Sequence, residues 1–319
     1  MTEHAAPHGP HETHGPRALV VGEALVDVVL RPGDEPVEHP GGSPANVAIG
    51  LGRLDRRVDL LTWLGDDARG DLVREHLRAS GVHVLTGDRA PARTPVARAH
   101  VDAAGVATYE FDLEWDLPTT WDEGDDDPVV VHTGSIATVI APGGEAVARL
   151  LADRRATSTV TYDPNLRPAL MGSPEATLPV VERLVALADV VKVSDEDLAW
   201  LHPGVAPVEI ARDWLSRGPA LVVVTLGGEG ALALTAAGDE ISITAPEVDV
   251  ADTVGAGDSF MGGLVDGLWS ADLLGADRRE ALRAVTRATV EQVLLRCARI
   301  AAITVSRPGA NPPTTADLT

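Results

Sequence analysis

From Arg17 onward, short unbroken apolar runs alternate with stretches in which apolar residues recur every three or four positions. Residues 18–22 (ALVVG) are apolar throughout, the pattern of a strand buried on both faces, and 24–30 continue as a second extended segment. Ser43, Pro44, Ala45 and Asn46 open an amphipathic helix reaching about Leu54, with Ser43 as its cap and Pro44 in its first turn. Residues 58–64 read as a strand and 70–80 as a helix stopped by Gly81. Residues 93–101 alternate, Ala103, Ala104 and Gly105 turn the chain, and 106–111 return, which makes a hairpin. Beyond it, β-rich runs at 129–132, 160–163, 190–193 and 221–226 are separated by helical patterns at 144–155, 178–188, 195–201 and 208–217. Two further helices are read over 259–268 and 290–300.

Strand followed by helix, repeated, predicts an α/β fold with a mostly parallel central sheet flanked by helices on both faces. Segments 27–40 and 93–114 break that rhythm and are expected to leave the sheet as a small β lid. No internal repeat and no linker-like stretch divides the chain, so residues 17–319 read as one domain. Residues 1–16 hold four of the ten histidines among Pro, Gly and Glu without apolar periodicity. That composition reads as a disordered tail rather than a metal site.

An apolar content of 45% is enough for a real core, and 26 basic against 48 acidic residues give a formal charge of −22. A chain this negative argues against unassisted nucleic-acid binding. No apolar run approaches the roughly 18 residues of a membrane helix, and the N-terminus has no secretory h-region. The expectation is a cytoplasmic protein with neither nucleic acid nor membrane as a partner. Cys297 is the only cysteine and Lys192 the only lysine, which excludes an internal disulfide, a four-cysteine metal cluster and a multi-lysine phosphate clamp. Cys297, inside the 290–300 pattern with no partner histidine, reads as a core thiol.

Ligands of open parallel sheets bind beyond the carboxyl ends of the strands, and the unusual residues of this chain follow its strands. Residues 251–260 read ADTVGAGDSF. Gly255, Ala256 and Gly257 sit at a helix N-terminus, where small residues admit close approach and free N–H groups with the helix dipole attract an anion. Asp258 lies in the first turn beside that nest, where a carboxylate can accept the proton of a hydroxyl attacking phosphorus. A bare GxGD is more often a glycine-rich turn with a capping Asp, but the surrounding residues shift that balance. DTVGAGDSFMGGL (252–264) resembles the C-terminal signature of the ribokinase-like (PfkB) carbohydrate kinases. Residues 41–46 (GGSPAN) with Gly50, 63–67 (WLGDD) and Gly70 resemble their N-terminal signature. The resemblance spans about residues 17–313, with motifs nearest to fructokinases, and no GxxxxGK[ST] is present to suggest a P-loop kinase.

The resemblance implies a ribokinase-like fold that uses ATP and Mg²⁺, with K⁺ as a further candidate, on a small-molecule sugar, and a homodimer formed through the lid. It implies Asp258 as catalytic base, the amides of Gly255, Ala256 and Gly257 as an anion hole, and Arg167 reaching the substrate or the transferring phosphoryl group. Asp163 and Asn165, in the same DPNLR stretch, would bind metal-bound water or position Arg167. Asp27, Gly41, Gly42 and Asn46 would bind the sugar. The stretch from Lys192 to Asp197 resembles an N-x-x-E element, placing Ser194 on the nucleotide side and Asp197, one methylene shorter than the family's Glu, on Mg²⁺ through water. Ser194 also reads as the N-cap of the 195–201 helix. Thr225, Gly227 and Gly230 would line ATP with Gly257, or form a tight strand–strand turn. Asp252, Val254, Thr304, Arg307 and Gly309 would surround a monovalent cation, mostly through backbone carbonyls.

On the returning lid strand Tyr109 and Phe111 share one face and would cover a sugar ring. Similar kinases acting on 2-keto-3-deoxygluconate tend to carry Arg where Phe111 stands; without it an acidic sugar leaves its carboxylate unpaired. The expectation is ATP-dependent phosphorylation of a primary hydroxyl of a neutral monosaccharide, fructose before ribose. Ribokinase, 2-keto-3-deoxygluconate kinase, nucleoside kinase and a non-catalytic sugar-binding protein are the alternatives. Arg93 and Arg98 are the residues that could restore a positive charge to the pocket.

Overall fold

The computed structural model describes residues 15–102, 107–124 and 126–319, so the expected tail falls outside it apart from Gly15 and Pro16. In chain order the strands are β1 (Ala18–Val21), β2 (Leu25–Leu30), β3 (Val37–Gly41), β4 (Val58–Leu61), β5 (Val82–Leu85), β6 (Val96–Val101), β7 (Ala107–Asp112), β8 (Val130–Gly134), β9 (Thr159–Asp163), β10 (Val190–Ser194), β11 (Leu221–Thr225), β12 (Ala231–Thr235) and β13 (Glu240–Ile243). Nine of them form one sheet in the order β13-β12-β11-β10-β9-β8-β1-β4-β5. It is parallel from β5 to β11, and β12 and β13 extend it antiparallel.

Period-two alternation splits the strand residues between two cores. Ala18 and Val20 of β1 face a core shared with Val47 and Leu51 of helix Ser43–Arg53 and Leu264 and Leu268 of helix Ala256–Ser270. Leu19 and Val21 face the other, with Leu151 of helix Gly143–Arg154, Leu184 of helix Pro174–Leu187 and Trp214 of helix Pro207–Ser216. Because both faces are covered, every residue of β1, β4 and β8 is buried, and β1 is an apolar run rather than an alternation. Helix Ala256–Ser270 packs between Ser43–Arg53 and Arg287–Val305, and Cys297 is fully buried in that packing, where desolvation raises its thiol pKa.

The remaining strands form a separate sheet, β3-β2-β6-β7, two hairpins joined by parallel pairing of β2 with β6. Several boundaries differ from the sequence reading. The strand read over 58–64 ends at Leu61. The helix read over 178–188 starts earlier, at Pro174, because Ser173 caps it and a proline suits the first turn. The helix read over 290–300 runs Arg287–Val305, capped by Thr286. Ser43 is not a cap: Gly42 holds that position at φ 110°, and Ser43 is the first helical residue, its hydroxyl turned elsewhere. Among the described residues, no helix is long and apolar enough to cross a membrane.

Candidate active site

A cavity of about 1120 Å³ opens where β1, β9, β10 and β11 end, with the small sheet as its opposite wall. It exceeds an ordinary single-ligand pocket of roughly 300–1,000 Å³, room enough for a sugar beside a nucleotide. Asp27, Gly42, Asn46, Phe111, Arg167, Ser194, Asp197, Thr225, Gly227, Gly230, Val254, Gly255, Ala256, Gly257 and Asp258 all border it. Gly41 stands behind Asp27: a Cβ there would fall 2.1 Å from Asp27 Oδ2, so only glycine leaves the carboxylate its place. The side chain of Tyr109 lies outside the described residues.

Asp258 is 6% exposed, in the first turn of Ala256–Ser270, whose N-cap Gly255 is left-handed at φ 76°. Its Oδ1 accepts from Ser43 Oγ (2.7 Å) and Asn165 Nδ2 (3.0 Å), and its Oδ2 from Asn46 Nδ2 (2.8 Å). These donors are neutral, so they fix the carboxylate without cancelling its charge. Asn165 then passes the register on, its Oδ1 accepting from Arg167 Nη1 at 2.7 Å. Asn165 therefore holds the Arg167 side chain; Asn46, expected on the sugar, is engaged with Asp258.

Asp163, expected on metal-bound water or on Arg167, is engaged with Lys192. It is buried and its Oδ2 pairs with Lys192 Nζ at 2.9 Å, because its strand-end position points it across to β10 rather than along the loop to Arg167. Burial, partly offset by Lys192, pushes its pKa up to about 6. Asp197 donates its N–H to Ser194 Oγ, so Ser194 is the N-cap as well as a cavity residue, and accepts from Leu166 N through Oδ1 (3.0 Å). Burial raises the Asp197 pKa against the pull of Lys192. Thr225 leads into a tight turn in which Leu226 N donates to Gly230 O (2.9 Å); the turn joins β11 to β12 and also borders the cavity.

Glu23 was missed in the sequence, although it lies two residues past the end of β1. It borders the cavity at 4% exposure, accepts from Ala137 N at 3.2 Å, and burial raises its pKa to about 7. Across the cavity, Asp27 on β2 faces the opening, yet the surrounding lid raises its pKa by desolvation, eased by His39 and Arg167. Arg98 pairs with Glu110 and Arg93 with Asp112 on the neighbouring strand, and neither borders the cavity.

Among the described residues, no group of three or more His, Cys, Asp or Glu could hold a metal unaided. One carboxylate such as Asp197 would suffice for Mg²⁺ arriving with a nucleotide, since that ion keeps waters and phosphate oxygens and needs only one or two carboxylates. Asp252, Thr304, Arg307 and Gly309 do not border the cavity. Asp252 accepts from Val254 N and Gly309 N (3.0 Å each), tying the nest to the C-terminal loop. The Thr304 hydroxyl donates to Ile300 O and Arg307 pairs with Asp317; Arg307, having no acceptor of its own, can offer a cation only its backbone carbonyl.

A doubly covered α/β sheet, with a buried carboxylate in the first turn of a helix that opens onto a cavity roomy enough for two ligands, suits a phosphotransferase. Residues 16–317 match the pfkB family carbohydrate kinase description, and the chain belongs to that family; its acceptor is a sugar hydroxyl. A fructokinase of Rhizobium leguminosarum bv. trifolii is 35% identical over 265 residues, covering 80% of this chain and 81% of that protein. The aminoimidazole riboside kinase of Salmonella typhimurium is 33% identical over 261 residues, covering 78% and 80%. A crystal structure of a fructokinase double mutant from Vibrio cholerae O395, in fructose, ADP and potassium ion bound form, is similar at TM-score 0.76 and 26% identity, covering 95% of this chain and 97% of that one.

Proposed function

We propose that residues 17–319 act as one kinase domain that transfers the γ-phosphoryl group of ATP to a primary hydroxyl of a neutral monosaccharide, fructose. The observation that carries this reading is that Asp258 borders one cavity together with Gly255–Gly257 and the lid residues Asp27 and Phe111. Asp27 accepts sugar hydroxyls, and Phe111 with Leu25 and Ala97 covers the ring. Asp258 takes the proton of the attacking hydroxyl, the nest amides receive the charge growing on the phosphoryl oxygens, and Arg167 adds a positive fork. Mg²⁺ supplied with ATP neutralises triphosphate charge, with Asp197 as the residue that would hold it through water. A monovalent cation such as K⁺, present in the Vibrio cholerae structure, would sit by the backbone near Asp252. Closure of the small sheet excludes water that would otherwise accept the phosphoryl group. Its open edges, β3 and β7, are where a second copy would add to make a homodimer. A cytoplasmic location fits an enzyme that draws on ATP.

The neutral sugar follows from the lid: Arg93 and Arg98 are engaged with lid carboxylates, leaving no lid cation at the cavity among the described residues. The test is kcat/KM at fixed ATP for fructose, ribose, aminoimidazole riboside and 2-keto-3-deoxygluconate. Fructose should lead. Preference for the sugar acid would overturn the lid argument, and preference for the riboside would favour a nucleoside acceptor, the reading supported by the Salmonella typhimurium relative.

A further inference from the structure

The only lysine of the chain is spent inside the protein. Lys192 is 3% exposed on β10, paired with Asp163 of β9, and still borders the cavity. A Cβ built on Gly257 would fall 2.9 Å from Lys192 Nζ, so the ammonium lies against the last residue of the nest. Burial opposes its charge, but Asp163, Asp258 and Asp197 together outweigh that and raise its pKa. The pair is poorly built as a structural clamp. Asp163 Oδ1 is buried without a hydrogen-bond partner, and a buried ion pair gains little stability over apolar residues even when fully satisfied.

We propose that Lys192 is a positioning residue for phosphoryl transfer, a fixed cation beneath the anion hole that acts through the Gly257 turn on the arriving phosphoryl group and on Asp258. This deepens the functional reading above and rests on it. The nest offers only amide dipoles, and the donors on Asp258 (Ser43, Asn46 and Asn165) are neutral. Arg167, the other cation at the cavity, spends Nη1 on Asn165 and Leu166. Lys192 is the positive charge set against the nest itself, in surroundings dry enough for that charge to act strongly. Asp163 holds its head in place while no phosphate is there, and Gly257 stays small so that it can approach.

Turnover of ATP with fructose by the wild-type enzyme is read first, and its absence strikes the functional reading rather than Lys192. Lys192→Met combined with Asp163→Asn removes both charges without stranding a buried carboxylate. Its melting temperature and its KM for fructose should stay near wild type while kcat falls roughly 10²- to 10³-fold, the loss typical of one oxyanion-stabilising group. A kcat within threefold of wild type would overturn the proposal. A second measurement needs no variant: with ¹⁵N-lysine labelling, untagged protein has one side-chain ammonium signal. That signal should move when ADP, Mg²⁺, fructose and fluoroaluminate are added together, and much less with ADP and Mg²⁺ alone. A signal that ignores fluoroaluminate would overturn the proposal.

Discussion

The two walls of the cavity are built differently. On the sheet side, charges sit with almost no solvent: the Lys192–Asp163 pair has side-chain exposures of 4% and 1%, and Asp258 is held by side chains from two other segments. On the lid side, the ion pairs are open, Arg93–Asp112 at 77% and 46% and Arg98–Glu110 at 25% and 63%. Exposed pairs contribute little, about 0–1 kcal/mol, whereas stranding one partner of a buried pair costs about 3–5 kcal/mol. The sheet wall is therefore rigid and intolerant of change, as phosphoryl transfer requires, and the lid wall can move and vary. Chemistry lies on one side and choice of acceptor on the other.

The largest effect should come from the sheet wall. Asp258→Asn should keep folding and ATP binding but lower kcat by roughly 10²- to 10⁴-fold, the contribution of a general base; steady-state kinetics within a few-fold of wild type would end that assignment. Asn165→Ala should follow. It frees Arg167 and removes a donor from Asp258, and such misplacement costs roughly 10- to 100-fold in kcat, with KM for fructose changing less. An effect confined to KM would move Asn165 from the chemistry to sugar binding.

A smaller effect concerns pH. Glu23 has its folded pKa raised from 4.5 to about 7, so the folded state keeps a proton that the unfolded chain releases across that window. Its contribution to stability is present below about pH 4.5 and is lost as pH rises through about 7. Glu23→Gln cannot ionise, so its melting temperature should rise relative to wild type between about pH 5 and pH 8. A constant difference across that range would show that Glu23 is not held in this way.

The contiguous parts of this architecture were legible in the sequence. The parallel strands announce themselves as apolar runs because both faces are covered, and the nest with Asp258 lies in one short glycine-rich stretch. The antiparallel β12 and β13 and the edge strand β5 fall outside the sequence reading, being short and placed where pattern alone is weak. The site network was hidden for another reason. Ser43 and Asn46 lie 215 and 212 residues from the Asp258 they bond, and Asn165 lies 93 away, so no local pattern joins them. Ser43 has the sequence context of a cap, and only the packing of Ser43–Arg53 against Ala256–Ser270 turns its hydroxyl to the carboxylate. Asp163 and Lys192 became partners only once β9 and β10 were neighbours. Glu23 lay beside a recognised strand, but its burial against Ala137 depends on β8 and the turn after it.

The division between the walls is tested most directly by placing a positive charge on the lid and leaving the sheet wall untouched. In Phe111→Arg, kcat/KM for fructose divided by that for 2-keto-3-deoxygluconate, at fixed ATP and Mg²⁺, should fall at least about tenfold, because the new guanidinium pairs the acid's carboxylate. A ratio unchanged from wild type would contradict the assignment of acceptor choice to the lid.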